Sequence, residues 1–430
     1  MNDIRRTILW VIFGFSMVLL WDQWQIHNGH KATFFPKVEQ ASAAANAASA
    51  PASSSAVPTA AATPVNPAQV PAGASAAPVT PREKIEVSSD VLKLSFDTEG
   101  GSLVRSEFTH HADMADAKKP FVLFDESRDR VYVAQTGLIG GDFPSHKAAM
   151  TVSGERSLKD GQNELTVRFE SAPINGVKLV KTYTLQRGSY AIGVKHEVVN
   201  TGAAAVSPQL YMQLVRDGNK PAGESSFYST FTGPAVYTEA KKYHKVEFSD
   251  IEKNKAEIDK TSTSGYVAMV QHYFASAWLL GEGVARENFV RKVDNNLYAV
   301  GMITPVGDVA PGQSKAIENK LFVGPQEEKM LEALAPGLDL LKDYGWLAML
   351  AKPLFWLLDK LFGVIQNWGW SIMALVLLLK IAFYWLNAKA YASMAKMKAI
   401  NPKITEMRER LKDNPQQMQQ EMMRIYREEK

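Results

Sequence analysis

One apolar stretch constrains this chain more than any other feature. Gly369 to Leu386, GWSIMALVLLLKIAFYWL, carries a single charge, Lys380, in 18 residues. As a helix it would rise about 27 Å at about 1.5 Å per residue, just enough to cross a hydrocarbon core of about 30 Å. The segment after it, Asn387 to Lys430, holds ten Lys/Arg against six Asp/Glu, and a basic flank marks the cytoplasmic side of a membrane helix. A second apolar run, Thr7 to Trp21, lies behind Arg5 and Arg6. Such a run is either a cleaved secretory signal or a retained anchor. Asp22, Gln23, Trp24, Gln25 and Ile26 stand where cleavage would need small residues, and Trp21 and Trp24 suit a bilayer interface. The retained anchor is the favoured reading, over residues 7–24, with residues 1–6 in the cytoplasm. The chain then leaves through the first span and returns through the second, at 367–386. Everything between them lies outside the cytoplasm.

That intervening chain changes character twice. Residues 25–81 form a linker that from about Ala41 is nearly all Ala, Pro, Ser, Val and Thr. So few large apolar groups cannot offset the entropy of ordering a chain, so a disordered tether is expected. Residues 82–325 alternate as strands do, at Val91–Phe96 and Leu165–Phe169 for example. Val177–Leu185 and Tyr190–Val199 flank Arg187-Gly188-Ser189 as a hairpin would. Further β-rich runs occur at Gln209–Val215, Tyr266–Leu280 and Leu297–Ile303, so an all-β sandwich of antiparallel sheets is expected. Residues 326–366 revert to helical spacing. Glu327–Leu334 reads as a short polar helix. Pro353–Ile365 reads as an apolar one, opened by its proline, with Phe355, Trp356 and Phe362 among its large side chains and Asp359 and Lys360 as a charged edge. It suits a helix lying in the membrane interface, although a core helix of the β domain has the same pattern.

Composition removes several function classes. The net charge of +3 gives no electrostatic footprint for nucleic acid, so none is expected to be recognised directly. The chain has no cysteine, which excludes disulfides, thiolate metal sites, a cysteine nucleophile and cysteine lipidation. No phosphate loop, nucleophile elbow or HExxH motif appears, and Gly281-Glu282-Gly283 lacks the third glycine of a dinucleotide fingerprint. The adjoining His110 and His111 would face opposite ways on a strand. No catalytic residue, metal or cofactor is expected.

Lys380 is the residue that stands out. A cation inside a span costs about 2.5–3.5 kcal/mol on insertion scales, so it needs a function or an escape. Six residues from Leu386, its stem could snorkel to the interface; a wet cavity or an acidic group on a passing polypeptide would serve as well. Tyr384 and Asn387, at i+4 and i+7, continue a polar stripe from it on the same face. Beyond the span, 387–430 reads as an αα-hairpin. Met394 and Met397 share a face, Ile404, Met407 and Leu411 extend it past Pro402, Asp413-Asn414-Pro415 turns with Asn414 as the cap, and Met418, Met422 and Ile425 line the return. The methionines either pack the two arms together or offer an adaptable apolar surface.

These residues resemble the YidC/Oxa1/Alb3 membrane protein insertase family. The likeness is most specific at Tyr391–Met397, Pro402–Leu411, Gln420–Met423 and Tyr426–Lys430, with further matches at Ser89–Leu92, Gly100-Gly101, Tyr273–Ala275, Ala277-Trp278, Asp339, Asp343–Trp346 and Asn367–Gly369. It implies an inner-membrane, multi-pass insertase and chaperone whose periplasmic β domain is a supersandwich of sugar-mutarotase type. It also implies a cationic groove, open to the cytoplasm and the lipid, that attracts polar segments of a client. Lys380 takes the place of the family's usual arginine, keeping the charge but losing the planar fork. Tyr384 matches, Leu377 and Phe383 complete the lining, and Val376, Ile381 and Trp385 depart from the commoner choices. Arg408 and Tyr426 fall in the matching hairpin. The implied partners are nascent membrane proteins, the Sec translocon, the ribosome through basic cytoplasmic regions, and the bilayer. Family members carry further spans after the hairpin, so a continuation past Lys430 is expected.

Three other readings share some of these features. A periplasmic binding or scaffold protein anchored at both ends would have the same spans, and a sugar-modifying enzyme the same β domain. An energy coupler of the TonB kind would have the same tether, but not a second span with a basic tail.

Overall fold

The computed structural model describes residues 82–114, 116–221, 230–344, 348–410 and 415–428. The anchor expected at 7–24, the linker to residue 81 and the hairpin turn at 413–415, apart from the first residue of its return helix, lie outside them.

Strand alternation builds two antiparallel sheets. The first runs β1 (Lys84–Ser88), β2 (Leu92–Asp97), β3 (Ser102–Ala112), β6 (Val131–Ile139), β11 (Gln209–Asp217), β18 (Leu297–Pro305), β17 (Arg286–Asp294), β14 (Thr261–Ser262). Two short strands, β4 (Pro120–Val122) and β5 (Asp125–Glu126), pair with β3 and β6. The second runs β13 (Lys242–Lys245), β12 (Thr232–Thr238), β15 (Tyr266–Gln271), β16 (Phe274–Leu280), β19 (Ser314–Pro325), β10 (Ala191–Asn200), β9 (Val177–Gln186), β8 (Glu164–Ser171), β7 (Met150–Gly154). The expected hairpin forms between β9 and β10, with Gly193 opposite Thr184 and Asn200 opposite Val177. Its turn needs Gly188, which sits at φ +72.

The main core lies between the sheets. On β8, Leu165, Val167 and Phe169 point inward while Glu164, Thr166 and Arg168 are exposed, as the sequence pattern requires. The outer face of the second sheet is also covered. There Ala268, Ala277 and Phe322 meet Leu331 of α2 (Glu328–Leu334) and Leu338 and Leu341 of a 3₁₀ turn, Leu338–Leu341. One further short helix, α1 (Phe248–Glu252), buries Ile251. At Gly100 a side chain would not fit, since φ is +71 and a Cβ would lie 2.2 Å from the His146 carbonyl oxygen.

Among the described residues the β domain buries several basic side chains, Arg216, Arg286 and Lys181 among them. Lys181, alternating inward on β9, is fully buried and donates to the Gly100 carbonyl at 2.5 Å and the Thr136 carbonyl at 2.7 Å. Beside it His196 bonds Thr136 Oγ1 at 2.9 Å and the Asn319 side-chain amide at 3.0 Å. Burial pulls the Lys181 amine down to about 7, and a neutral amine has the two N–H groups that these two carbonyls accept. Burial, then the Lys181 charge, drives His196 well below the imidazole range.

The pH dependence follows. Between about pH 7 and pH 10 the unfolded chain keeps the lysine proton and the folded chain does not, so stability rises with pH by up to about 1.4 kcal/mol per unit. Below that window both states are protonated and this contribution is flat. Denaturant unfolding followed by the fluorescence of buried Trp278 should show the slope in the native protein and lose it in Lys181→Met.

Candidate functional site

After β19 the chain becomes helical. α3 spans Ala348–Ile365 and α4 Trp368–Ala382. Gln366, at φ +54, turns the chain between them. Asn367 caps α4 by accepting the Trp370 N–H at 3.1 Å, and the Ser371 hydroxyl donates to the Asn367 carbonyl at 2.8 Å. Phe362 stacks on Trp368 at 3.9 Å and 9° and closes the corner. Pro353 was expected at the first helical position, but α3 begins at Ala348 and carries the proline inside. Only the Met349 carbonyl loses its donor there, and so close to the helix start the break in the ladder is small.

α3 rests on the β domain through a polar and aromatic junction. Lys329 of α2 reaches both Asp359 carboxylate oxygens, at 2.9 and 3.0 Å. Lys352 pairs with Asp339 at 3.8 Å. Lys342 lies 3.7 Å from the centroid of the Phe355 ring and bonds Glu328 at 3.3 Å, and Glu328 also accepts from the Tyr344 hydroxyl at 2.5 Å. Desolvation pushes the Glu328 carboxyl up, but these two donors outweigh it and hold it below the usual range. The charged edge expected at Asp359 therefore faces α2, and Phe355 is half-buried beside it. Phe362 is half-buried in the corner with Trp368, while Trp356 is exposed.

The expected single span over 367–386 is broken. α4 ends at Ala382, Phe383 leaves helical geometry at φ −92 and ψ 6, and α5 (Tyr384–Arg410) leaves at a 61° bend. No proline or glycine occupies the break. The Phe383 N–H still donates to Leu379 O and the Asn387 N–H to Phe383 O, so the bend leaves these backbone groups paired. Among the described residues no single helix is long and apolar enough to cross a membrane; α4 with Tyr384–Ala395 passes together as a bent pair.

The break relocates Lys380. It stands in the last turn of α4 rather than mid-helix, beside the negative end of the helix dipole. Tyr384 and Asn387 belong to α5, so the polar stripe expected from Lys380 does not run along one helix. α3 and α4 pack together, and Ser371 is fully buried. At about 100° per residue Lys380 falls about 180° from Ser371. Val376 and Leu377 flank it on that far side and are exposed, as are Phe383 and Tyr384 at the break.

The tail helices are α5 and α6 (Pro415–Glu428), which pack against each other. Met407 is buried in that packing, and Met418 and Met422 are half-buried. Met394, Met397 and Met423 are exposed, and so is Arg408. The methionines thus divide between the two roles that their spacing left open. Tyr426 lies in α6; its side chain is outside the described residues.

Known proteins place this arrangement. The YidC periplasmic domain profile matches residues 84–357, and the 60Kd inner membrane protein profile matches 359–430. The membrane protein insertase YidC of Cupriavidus necator is 51% identical over 438 residues, covering 100% of this chain and 77% of that one. The insertase of Cupriavidus pinatubonensis is 52% identical over 434 residues, with the same coverage. The chain belongs to the YidC membrane protein insertase family. Family membership makes the sandwich its periplasmic domain, places the protein in the inner membrane, and puts it among insertases rather than enzymes. It displaces the scaffold, sugar-modifying and energy-coupling readings. A solved galactose mutarotase-like protein from Lactobacillus casei is 11% identical, covering 56% of this chain and 100% of that one, with a TM-score of 0.36. At that level it bears on neither activity nor ligand.

Sequence reasoning missed the junction, because nothing in the spacing of Lys329, Lys342 and Lys352 separates them from solvated lysines. Their distances rank the contacts. An exposed ion pair contributes about 0–1 kcal/mol, whereas a half-buried ring under an ammonium adds its own burial to about 0.5–2 kcal/mol of cation–π attraction. Phe355→Ala should therefore raise hydrogen–deuterium exchange over 348–365 more than Asp359→Asn does. Equal effects would show the ion pair to be the stronger hold.

Proposed function

We propose that this chain inserts and helps to fold membrane proteins, with Lys380 as the cation that receives polar parts of a client. The observation that carries this reading is the position of Lys380, on the side of α4 that α3 does not cover, among exposed apolar side chains. Such a surface suits a polypeptide with both polar and apolar segments. Its acidic or hydrated part meets the ammonium, and its apolar helix leaves along Val376, Leu377 and Phe383 toward lipid. Tyr384, across the break, adds a hydroxyl to the same region. Lysine supports attraction to charge without requiring bidentate geometry.

In this reading the protein is multi-pass. The first span is 7–24 with the N-terminus cytoplasmic, 25–81 tether the periplasmic domain of 82–325, and α3 lies in the periplasmic interface. α4 with the start of α5 forms the next membrane passage, and the rest of α5 with α6 stands in the cytoplasm. There the exposed Met394 and Met397 offer a yielding apolar surface, and Arg408 and its basic neighbours a contact for the ribosome. Cooperation with the Sec translocon rests on the family resemblance. No cofactor or metal enters the mechanism.

A depletion-and-rescue assay tests the cation. Lys380→Leu should slow insertion of clients with acidic translocated segments by about tenfold or more, the size of one lost charge interaction of about 1.4 kcal/mol. Lys380→Arg should restore it, and clients with uncharged translocated segments should respond to neither. Full activity of the leucine variant on acidic clients would overturn the proposal.

A further inference from the structure

A cavity of about 410 Å³ opens beside the strand β13, the turn at His272 and the segment that leads into α3. Phe231, Tyr243, Lys245, His272, Asp343 and Tyr344 line it, and Thr230, Phe231 and Lys245 also line an adjoining cavity of about 390 Å³. On its wall Lys245 and Asp343 form an ion pair. The Lys245 ammonium also lies 5.1 Å from the centroid of the Phe231 ring. The Tyr243 hydroxyl is buried with no hydrogen-bond partner, a state that costs about 1–3 kcal/mol unless something fills it. His272 is held in the left-handed region at φ +39, and its Nδ1 shares a hydrogen bond with the Thr230 hydroxyl at 2.6 Å.

The paired charges select the ligand. A simple anion drawn to Lys245 would meet the Asp343 carboxylate beside it, and a simple cation drawn to Asp343 would meet the lysine. A zwitterion with its charges a few ångströms apart satisfies both, lying antiparallel to the pair. We propose that this cavity binds a phosphoethanolamine group, phosphate on Lys245 and the Tyr243 hydroxyl, ammonium on Asp343 and the ring of Tyr344. Tyr344 stands four residues before α3, so the periplasmic leaflet presents this group, as phosphatidylethanolamine, at the level of the cavity; that source rests on the interfacial placement of α3 proposed above.

The test uses the full chain in detergent micelles. Native mass spectrometry should show phosphatidylethanolamine retained about tenfold over phosphatidylglycerol. Soluble phosphoethanolamine should bind by calorimetry where inorganic phosphate does not. Lys245→Gln should weaken both by about tenfold or more, as loss of a charge-assisted contact does. Tyr243→Phe, which keeps the ring and its packing and removes the unpartnered hydroxyl, should weaken them severalfold at an unfolding temperature no lower than the native protein's, so the question stays answerable even if the lysine variant misfolds. Equal retention of the two lipids, binding of inorganic phosphate as tight as phosphoethanolamine, or indifference to Tyr243→Phe would overturn the site. Binding of soluble phosphoethanolamine without retention of the lipid would keep the site and overturn its membrane source, leaving the Lys380 mechanism untouched.

Discussion

The apolar surface of α3 and α4 can be stable only out of water, and the rest of the chain is arranged around that constraint. Met349, Leu350, Trp356, Val364, Trp370, Met373 and Leu377 are all exposed on these helices. Contiguous apolar surface on this scale marks contact with lipid or another protein. The β domain shows the opposite condition: its large side chains close over each other between two sheets, and its outer face is sealed by Leu331, Leu338 and Leu341. One chain thus satisfies the hydrophobic effect in two ways, by internal packing before Pro325 and by its surroundings after Ala348.

The junction between these halves has a different chemistry from both. Apolar packing there would fuse the β domain to α3 at depth, and a plain flexible linker would leave it free. Instead the contacts are two ion pairs, one ammonium over one ring, and a carboxylate that accepts from a lysine and a tyrosine. Each is weak alone in water and stronger where water is thinned, as at a bilayer surface. The set fixes orientation without demanding the dry interface that neither half could share. Asp359 shows the economy of this: the one acidic residue of α3 is tolerated because Lys329 meets both its oxygens.

Much of this was legible where one periodicity dominates. Leu165, Val167 and Phe169 alternate because only one face of β8 is buried, and the turn at Gly188 is marked by the one residue that accepts its conformation. Legibility failed where neither alternation nor composition marks a strand, or where two signals compete. Gln209–Asp217 and Leu297–Pro305 are buried on both faces and still read as β-rich runs, whereas Val131–Ile139, equally buried but with Gln135, Thr136 and Gly137 at its centre, does not. Lys181 shows the same limit: in the sequence it is one more polar residue on a strand, and only the two carbonyls converging on it reveal a buried amine. Pro353 announced a helix start because first-turn proline is common, but the apolar run before it was already enough to begin the helix at Ala348. The break at Phe383 had no announcing residue at all. The cation, its helix, the methionine spacing and the basic tail were readable; the bend that decides what shares a face with Lys380 was not.

That bend changes the argument about the lysine itself. On an unbroken span, Lys380 would be a charge some way inside an oily helix, expensive enough to require a wet groove by itself. At the end of α4 part of the cost disappears, because the last carbonyls of a helix carry partial negative charge that favours a cation, by about 0.3–1 kcal/mol at an exposed end. The helix end therefore explains why a lysine is tolerated there, but it does not explain why it faces away from α3. A residue placed only to satisfy the dipole could sit on any side of the last turn, including that of the half-buried Leu379. Lys380 occupies the side that packing leaves open, next to Val376 and Leu377. What tolerance leaves unexplained is direction, and direction is what the client-receiving role proposed for Lys380 would require.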